Sequence, residues 1–360
     1  MADRLVLRAG AAALEHIRRH GLGPEHVHAV VGASGAAKWL GICGLDQAVF
    51  GQWLPRAGTQ PIDLLGTSIG TFKLAAACQA DPVRGLATLA EAYIAQRYEG
   101  APTPAAISHE TARIVSTVLP DRGHAILSHP RYRVHVGTVR CHAGLADAEP
   151  AGQKRAIAAA FVSNLIGRGQ LRRWVERVVF SDPRSDWPLT AADGVSSQQV
   201  ALSEHNLVDA VVASGALPVY MQGVNDIDGA PTGVYRDGGL LDYHPVPDWL
   251  FASDSRAGLV LYPHFFAHVS PGWFDKALRW RRVRAVDLRN VLVIAPSDAH
   301  VGRLPGGRLP DRRDFSRCTD TERQTRWRAA LAESQALGTE FLALADDPDR
   351  LLARVLPIAP

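Results

Sequence analysis

Short, uninterrupted runs of hydrophobic residues recur along this chain, separated by longer segments with helical spacing. Such runs are typical of strands buried on both faces of a sheet, and they occur at residues 27–31, 62–65, 178–180, 259–262 and 291–294. The segments between them predict helices at residues 36–50, 71–80, 84–97, 154–177 and 205–213. This alternation predicts an α/β fold in which a mostly parallel central sheet is covered by helices on both faces.

The two ends of the chain are also predicted to be helical. Residues 5–20 have amphipathic spacing and are followed by two glycines, which predicts a single helix there. Residues 319–322 read Thr-Asp-Thr-Glu, a capping box that predicts the start of a C-terminal helix. Because no repeat or low-complexity linker is visible, we predict one domain over residues 1–360, with a motif-bearing core at about 24–300 and a helical extension at about 301–360.

Composition narrows the class of protein. The chain has 360 residues, and its net charge of +3 with dispersed basic residues gives no argument for a nucleic-acid partner. The four cysteines lack metal-type or disulfide-type spacing, which favours a reducing compartment. Glu15, Arg18 and Arg19 interrupt the first apolar stretch, and no run of about 18 apolar residues predicts a membrane span. We therefore expect a cytoplasmic protein.

The segment most informative about chemistry lies between a predicted strand and a predicted helix. Residues 66–70 read Gly-Thr-Ser-Ile-Gly, so Ser68 occupies the centre of a Gly-x-Ser-x-Gly turn. A serine on such a turn is held out of the sheet with its hydroxyl exposed, and the glycines leave room for a strained backbone and a nearby substrate. Ser68 is therefore a candidate nucleophile. The alternative is a tight turn that happens to contain a serine.

A second glycine turn, at residues 32–37, follows the strand at 27–31. Neighbouring parallel strands place such turns side by side, so its backbone N–H groups could stabilise an oxyanion near Ser68. The glycines could also serve only a short strand-to-helix connection. A dinucleotide-binding turn is a third interpretation, but the third glycine of that motif is absent and Ala37-Lys38 stands in its place.

The strongest candidate for a base is Asp237, which precedes two glycines that would allow the backbone to approach another turn closely. It could instead bind only its own turn. His264 follows the strand at 259–262 and completes a Ser…Asp…His order, so a catalytic triad is a further alternative. A metal site is another, but the histidines lack a ligand spacing and are better interpreted as solvated or core residues; they are His26, His28, His124, His129, His135 and His142.

Together these motifs resemble the patatin-like phospholipase family. The similar segments, in family order, are residues 32–35, 66–70, 213–218 (Ala-Ser-Gly-Ala-Leu-Pro) and 237–239, followed by Pro245-Val246. The resemblance implies a three-layer αβα fold with Ser68 as nucleophile, Asp237 as base and an oxyanion hole at Gly32, Ala33, Ser34 and Gly35. It also implies hydrolysis of lipid or related acyl esters through an acyl-enzyme, without metal or cofactor. Partial burial would raise the pKa of the aspartate toward a useful range.

Three features depart from that family or lie outside the resemblance. The oxyanion turn is poorer in glycine than usual, and its basic residue Lys38 comes two positions late. The Ser34 hydroxyl could itself donate to the oxyanion, but the preferred interpretation is that it caps the following helix. Asp242 stands where asparagine is frequent. Residues 262–284 mix aromatic and basic side chains, which suits a lipid interface or a lid, although a half-buried helix is the preferred interpretation. A non-catalytic lipid- or acyl-binding protein with the same fold is the alternative to the enzyme. The expected partner is a lipid or acyl-ester substrate, and peripheral contact with a membrane or lipid interface is an open alternative.

Overall fold

The structure, a computed structural model, describes residues 3–121, 123–187, 189, 193–247 and 258–358. Its strands are β1 (Leu5–Ala9), β2 (Val27–Gly32), β3 (Ile62–Thr67), β4 (Tyr132–Cys141), β5 (Val175–Ser181), β6 (Ser197–Ala201), β7 (Val224–Asn225), β8 (Val234–Asp237), β9 (Leu259–Pro263), β10 (Val291–Pro296) and β11 (Val355–Pro357). Its α-helices are α1 (Ala11–His20), α2 (Cys43–Ala48), α3 (Ile69–Ala77), α4 (Pro82–Ala95), α5 (Pro104–Val118), α6 (His124–Leu127), α7 (Pro150–Ile166), α8 (Leu207–Ser214), α9 (Asp298–Val301), α10 (Asp314–Arg317), α11 (Asp320–Ala345) and α12 (Pro348–Arg354).

One mixed, mostly parallel sheet organises the molecule. Its strand order is β11-β1-β10-β9-β2-β3-β4-β5-β6, and β8 pairs with both β4 and the short strand β7. Within the main row, the pairs β1–β10 and β4–β5 are antiparallel and the other neighbours are parallel. Every residue of β3, β5, β9 and β10 is buried, so both faces of the sheet are covered at these strands. The predicted α/β class with a mostly parallel sheet is confirmed.

The structure corrects the sequence prediction at several segments. Residues 5–20 form β1 and then α1, because Leu5, Leu7 and Ala9 alternate with less buried residues in the two-residue period of a strand. The helix predicted at 154–177 ends at Ile166, and β5 begins at Val175, three positions before the strand predicted at 178–180. Residues 104–118, whose pattern is mixed, form α5.

The C-terminal region is an integral part of the fold. α11 begins as predicted, with the Thr319 hydroxyl accepting a hydrogen bond from the Glu322 N–H at 3.2 Å. It packs closely on α2, where the Ser334 hydroxyl accepts the Gly44 N–H at 2.8 Å. The region is not purely helical, because β11 follows α12 and extends the sheet beside β1. Along the described part of the chain, no helix combines the length and apolar character needed to cross a bilayer.

Candidate active site

Two strands meet end to end beside β4, and this register brings together the predicted nucleophile and base. β3 runs parallel to β4 and ends with Thr67 opposite Gly137. β8 approaches from the other direction and ends with Asp237 opposite Thr138, the next residue of β4. Ser68, the first residue after β3, therefore lies against Asp237, although 169 positions separate them in the chain. The sequence motifs predicted this pair but not the strand arrangement that joins it.

Ser68 has the geometry of an activated hydroxyl on a strained turn. Its backbone has φ 54° and ψ −132°, a conformation that residues with a Cβ rarely adopt. Its Oγ donates a hydrogen bond to Asp237 Oδ2 at 2.8 Å. The flanking glycines are sterically required, because a Cβ on Gly66 would lie 2.6 Å from the Thr71 nitrogen and one on Gly70 would lie 2.1 Å from the Gly32 oxygen. The turn that presents Ser68 therefore requires glycine at both flanking positions.

Ser214, in the segment 213–218 that resembles the patatin-like family, holds this strained turn in place through hydrogen bonds. Its hydroxyl accepts the Ser68 N–H at 3.0 Å, contacts Thr71 Oγ1 at 2.9 Å and donates to the Gly137 carbonyl at 2.7 Å. Two residues later, the Ala216 carbonyl accepts the Asp237 N–H at 3.1 Å. The segment therefore holds the ends of both β3 and β8, a role that the sequence did not reveal.

Replacement of Ser214 by alanine should lower the free energy of unfolding by about 1–3 kcal/mol, because it leaves buried polar groups of Ser68, Thr71 and Gly137 without this partner. Denaturant unfolding measures the change. The matched control is Ser316→Ala, at an exposed serine that binds only the nearby Arg313 carbonyl, which should change stability by less than about 0.5 kcal/mol. Equal stability of the two variants would contradict this account of Ser214.

The two glycines that follow Asp237, the candidate base, position its carboxylate. Its Oδ1 accepts the Gly239 N–H at 2.7 Å, which leaves Oδ2 for Ser68. A Cβ on Gly238 would lie 2.3 Å from the Gly137 oxygen, and one on Gly239 would lie 2.4 Å from Ser34 Oγ. The expected close approach of this backbone to another turn is therefore confirmed. Burial raises the pKa of Asp237 to about 6, against the lowering effect of its hydrogen bonds from Ser68 and Gly239.

The glycine turn after β2 lies directly beside the Ser68 turn, since a Cβ on Gly32 would come within 2.6 Å of the Gly70 oxygen. The Ser34 N–H is already engaged and donates to the Tyr243 carbonyl at 2.8 Å. The Ser34 hydroxyl lies 2.8 Å from Thr67 Oγ1, which itself donates to the Asp242 carbonyl. The prediction that Ser34 caps a helix is wrong, because Gly35 is the N-cap and the element that follows is a 3₁₀ helix, Ala36–Ile42.

These contacts divide the four predicted oxyanion residues by role. Gly32 permits the two turns to touch, and Ser34 links its turn to the chain after Asp237. Gly35 packs against the Phe265 ring, which a Cβ would approach to 2.4 Å. The backbone N–H groups of this turn that could donate to a developing oxyanion are therefore those of Ala33 and Gly35, and not that of Ser34. The N-terminus of α3 could add to this stabilisation.

A buried ionic network fixes the loop that follows Asp237. Arg177 donates through Nε to Asp242 Oδ2 at 2.7 Å, and Arg168 donates through Nη2 to Asp242 Oδ1 at 2.9 Å. Asp193 contacts both arginines. The carboxylates of Asp242 and Asp193 raise the pKa of Arg177 against the opposing effect of burial. These residues were missed as site components because the arginines lie 65 and 74 positions from Asp242 and belong to no motif.

The structure does not assemble the alternative triad. His264 is buried, and its Nδ1 accepts the Phe266 N–H at 2.8 Å. Its ring packs against His244 with centroids 4.2 Å apart, and within the described residues its Nε2 has no hydrogen-bond partner. Burial lowers the pKa of His264 to about 3.

Among the residues that the structure describes, no group of three or more histidine, cysteine, aspartate or glutamate side chains is arranged to hold a metal ion.

Residues 262–284 do not form the half-buried helix that was the preferred prediction. After β9 the segment contains only short 3₁₀ turns, at Trp273–Asp275 and Arg279–Arg281. Trp280 is 75% exposed, whereas Phe265 and Phe274 are buried. The aromatic residues of this segment are therefore divided between the core and the surface.

A scan of the chain against protein-family models finds no match, and searches of curated proteins and of solved structures find none either. Functional inference consequently depends on the geometry of the site itself. That geometry combines a strained serine, a buried carboxylate 2.8 Å from its hydroxyl, and a second turn in backbone contact with the first. An arrangement of this kind can perform nucleophilic attack with carboxylate base assistance.

Proposed function

We propose that this protein is a serine acyl hydrolase that uses a Ser68–Asp237 dyad to cleave lipid or related acyl esters. The observation that carries the proposal is the 2.8 Å hydrogen bond from Ser68 Oγ to Asp237 Oδ2 at a strained strand-to-helix turn. Structural hydrogen bonds between serine and aspartate need no backbone strain. The backbone strain at Ser68 is better explained by a nucleophile whose hydroxyl must be exposed to a substrate.

The proposed reaction begins when Ser68 Oγ attacks the ester carbonyl and its proton passes to Asp237. The tetrahedral oxyanion is stabilised by backbone N–H groups of the Gly32–Gly35 turn and by the N-terminus of α3. Collapse expels the alcohol, which takes the proton from Asp237, and leaves an acyl-enzyme. Water then transfers a proton to Asp237 as it attacks the acyl carbonyl, and return of that proton to Ser68 releases the carboxylic acid.

The motif order and the α/β sheet support assignment to the patatin-like kind, with the three-layer αβα arrangement that this implies. The alternative of a non-catalytic lipid- or acyl-binding protein makes a different prediction about covalent chemistry. A neutral alkyl fluorophosphonate should label wild-type protein at Ser68, as peptide mapping by mass spectrometry will detect. Failure of the folded wild-type protein to react at Ser68 would refute the enzyme proposal and favour binding without turnover.

We further propose that a lipid surface bearing anionic headgroups is the physical setting of the substrate. Trp280 is 75% exposed and Ile166, at the end of α7, is 79% exposed. The segments that carry them are neighbours, because Arg281 Nη2 donates to the Leu165 carbonyl at 3.2 Å. Exposed arginines accompany this apolar patch, among them Arg279 and Arg282. Apolar side chains with a basic surround suit insertion at an anionic interface.

Replacement of Trp280 by alanine should weaken partitioning to vesicles that contain anionic phospholipid by about tenfold or more, since it removes a large apolar side chain from the interface. Co-sedimentation with the vesicles measures the effect. Trp280→Phe, which retains most of the apolar surface, is the matched control and should bind nearly as well as wild type. Equal partitioning of the alanine variant and wild type would exclude this surface as the contact.

A further inference from the structure

Cationic side chains from three separate chain segments meet beside the candidate active site. The Lys276 ammonium lies 4.4 Å from the centre of the Tyr243 ring. The Tyr243 carbonyl accepts the Ser34 N–H at 2.8 Å, so this lysine stands next to the turn that adjoins Ser68. Lys276 itself is exposed and hence reachable by a ligand. It belongs to the region that the family resemblance does not cover.

Arg312 provides a second cation from the chain before α10. Its guanidinium lies 4.3 Å from the centre of the Tyr220 ring, which is 49% exposed. The residue before it, Asp311, forms an ion pair with Lys38 at 2.6 Å. Lys38 follows the Gly32–Gly35 turn by three positions, so the ion pair joins the arginine segment to the candidate oxyanion turn.

The positive charge of this cluster is incompletely balanced. Lys38 forms an ion pair with Asp311, whereas within the part of the chain that the structure describes neither Lys276 nor Arg312 forms one; Asp311 acts on Lys276 only through its charge. Partial loss of hydration, followed by the charges of Lys38 and Arg312 and opposed by that of Asp311, lowers the pKa of Lys276 to about 8. The charges of Arg312 and Lys276 also act on Asp237 and oppose the rise in its pKa. An anion placed between these cations would relieve their mutual repulsion.

We propose that Lys276 and Arg312 are specificity-determining residues that bind an anionic group, phosphate or carboxylate, carried by the ester substrate while its acyl carbonyl lies at Ser68. This proposal rests on the proposed hydrolase function and adds the chemical class of the substrate. Their aromatic contacts hold the two side chains beside the site without neutralising them. The charge of the ligand would therefore meet two cations that form no ion pair with the acidic residues the structure describes.

The test compares two soluble short-chain esters that share an acyl group and differ only in whether the alcohol portion carries a phosphate or a free hydroxyl. Wild-type protein should prefer the phosphorylated ester in kcat/KM. The double variant Lys276→Met, Arg312→Met should reduce that preference by about 10- to 100-fold, mainly through KM, because two charge-assisted contacts are lost. Arg317→Met, at an exposed arginine on the same segment, is the matched control and should retain the wild-type preference.

Two further measurements separate the sources of the anion and the possible failures. If a phosphate group alone is enough for binding, inorganic phosphate should inhibit wild type competitively and should inhibit the double variant less. A preference for the phosphorylated ester that appears only with phospholipid vesicles would contradict direct binding by these residues. Labelling of Ser68 by the neutral fluorophosphonate tests the hydrolase function independently. Normal labelling with no preference between the esters overturns the anion site alone, whereas absence of labelling overturns both proposals.

Discussion

Replacement of Ser68 by alanine is expected to reduce kcat for ester hydrolysis by about 10⁴-fold or more and to abolish fluorophosphonate labelling. The reason is that neither of the two neighbouring hydroxyls, those of Thr67 and Ser214, can take its place. The neighbouring Thr67 hydroxyl is buried and donates to the Asp242 carbonyl, and Ser214 is buried among its hydrogen bonds under the turn. Steady-state hydrolysis of a soluble ester, with mass-spectrometric mapping of the label, measures both losses.

The alanine variant should fold normally, because the strained backbone and the supporting Ser68 N–H contact do not depend on the side chain. Circular dichroism and the thermal midpoint provide this control. Ser316→Ala, at an exposed serine, controls for the generic loss of a hydroxyl. Substantial residual turnover by folded, uncontaminated Ser68→Ala protein would show that the nucleophile has been wrongly assigned.

Replacement of Asp237 by asparagine is expected to reduce kcat by about 10³- to 10⁴-fold while leaving the fold intact. Asparagine is isosteric and can still accept the Gly239 N–H, but its amide cannot take the Ser68 proton. In wild type, kcat/KM should fall about tenfold per pH unit below about pH 6, because burial raises the pKa of Asp237 to about 6 and only the carboxylate acts as base. A pH–rate profile without this acid limb would argue against Asp237 as the base.

The substitution Asp237→Asn, which should lower activity, should raise the free energy of unfolding at alkaline pH. An aspartate titrates near pH 3.9 in an unfolded chain, whereas the pKa of Asp237 in the folded protein is raised to about 6. Between these values the folded state binds more protons, so the stabilisation from this proton is complete below about pH 4 and is lost as pH rises through about 6. Asp237→Asn should therefore be more stable than wild type at pH 8, by at most about 3 kcal/mol. Denaturant unfolding at pH 8 and at pH 4 measures the difference, which should shrink at the lower pH.

The sequence predicted the parts of the fold that have strong local signals. The continuous apolar runs at β2, β3, β9 and β10 and the capping box before α11 correspond to elements of the structure. Local patterns failed where the period of a strand passes directly into the period of a helix, as at residues 5–20, whose alternating first residues form β1 before α1. Strand β11 was missed because its three residues carry too little pattern to distinguish them from a helix end.

For the site, sequence motifs selected Ser68 and Asp237, which the structure joins by a hydrogen bond, but not the residues that position them. Asp242 and Arg177 form their ion pair only through sheet pairing between distant segments. Lys276 and Arg312, which we propose to bind the substrate, contact Tyr243 and Tyr220 from segments whose paths no local pattern specifies. Ser34 illustrates a different limit, since its amide was expected to face the substrate and instead binds the Tyr243 carbonyl.

The end-to-end meeting of β3 and β8 has a consequence for folding. The hydroxyl and its base are neighbours only after a chain loop of 169 positions has closed and β4 has paired with both strands. Contacts between such distant positions form late and at a large cost in chain entropy. A nascent chain that has just completed residue 68 therefore carries the serine without Asp237, and under the proposed function the reactivity of that serine would report whether these strands have assembled.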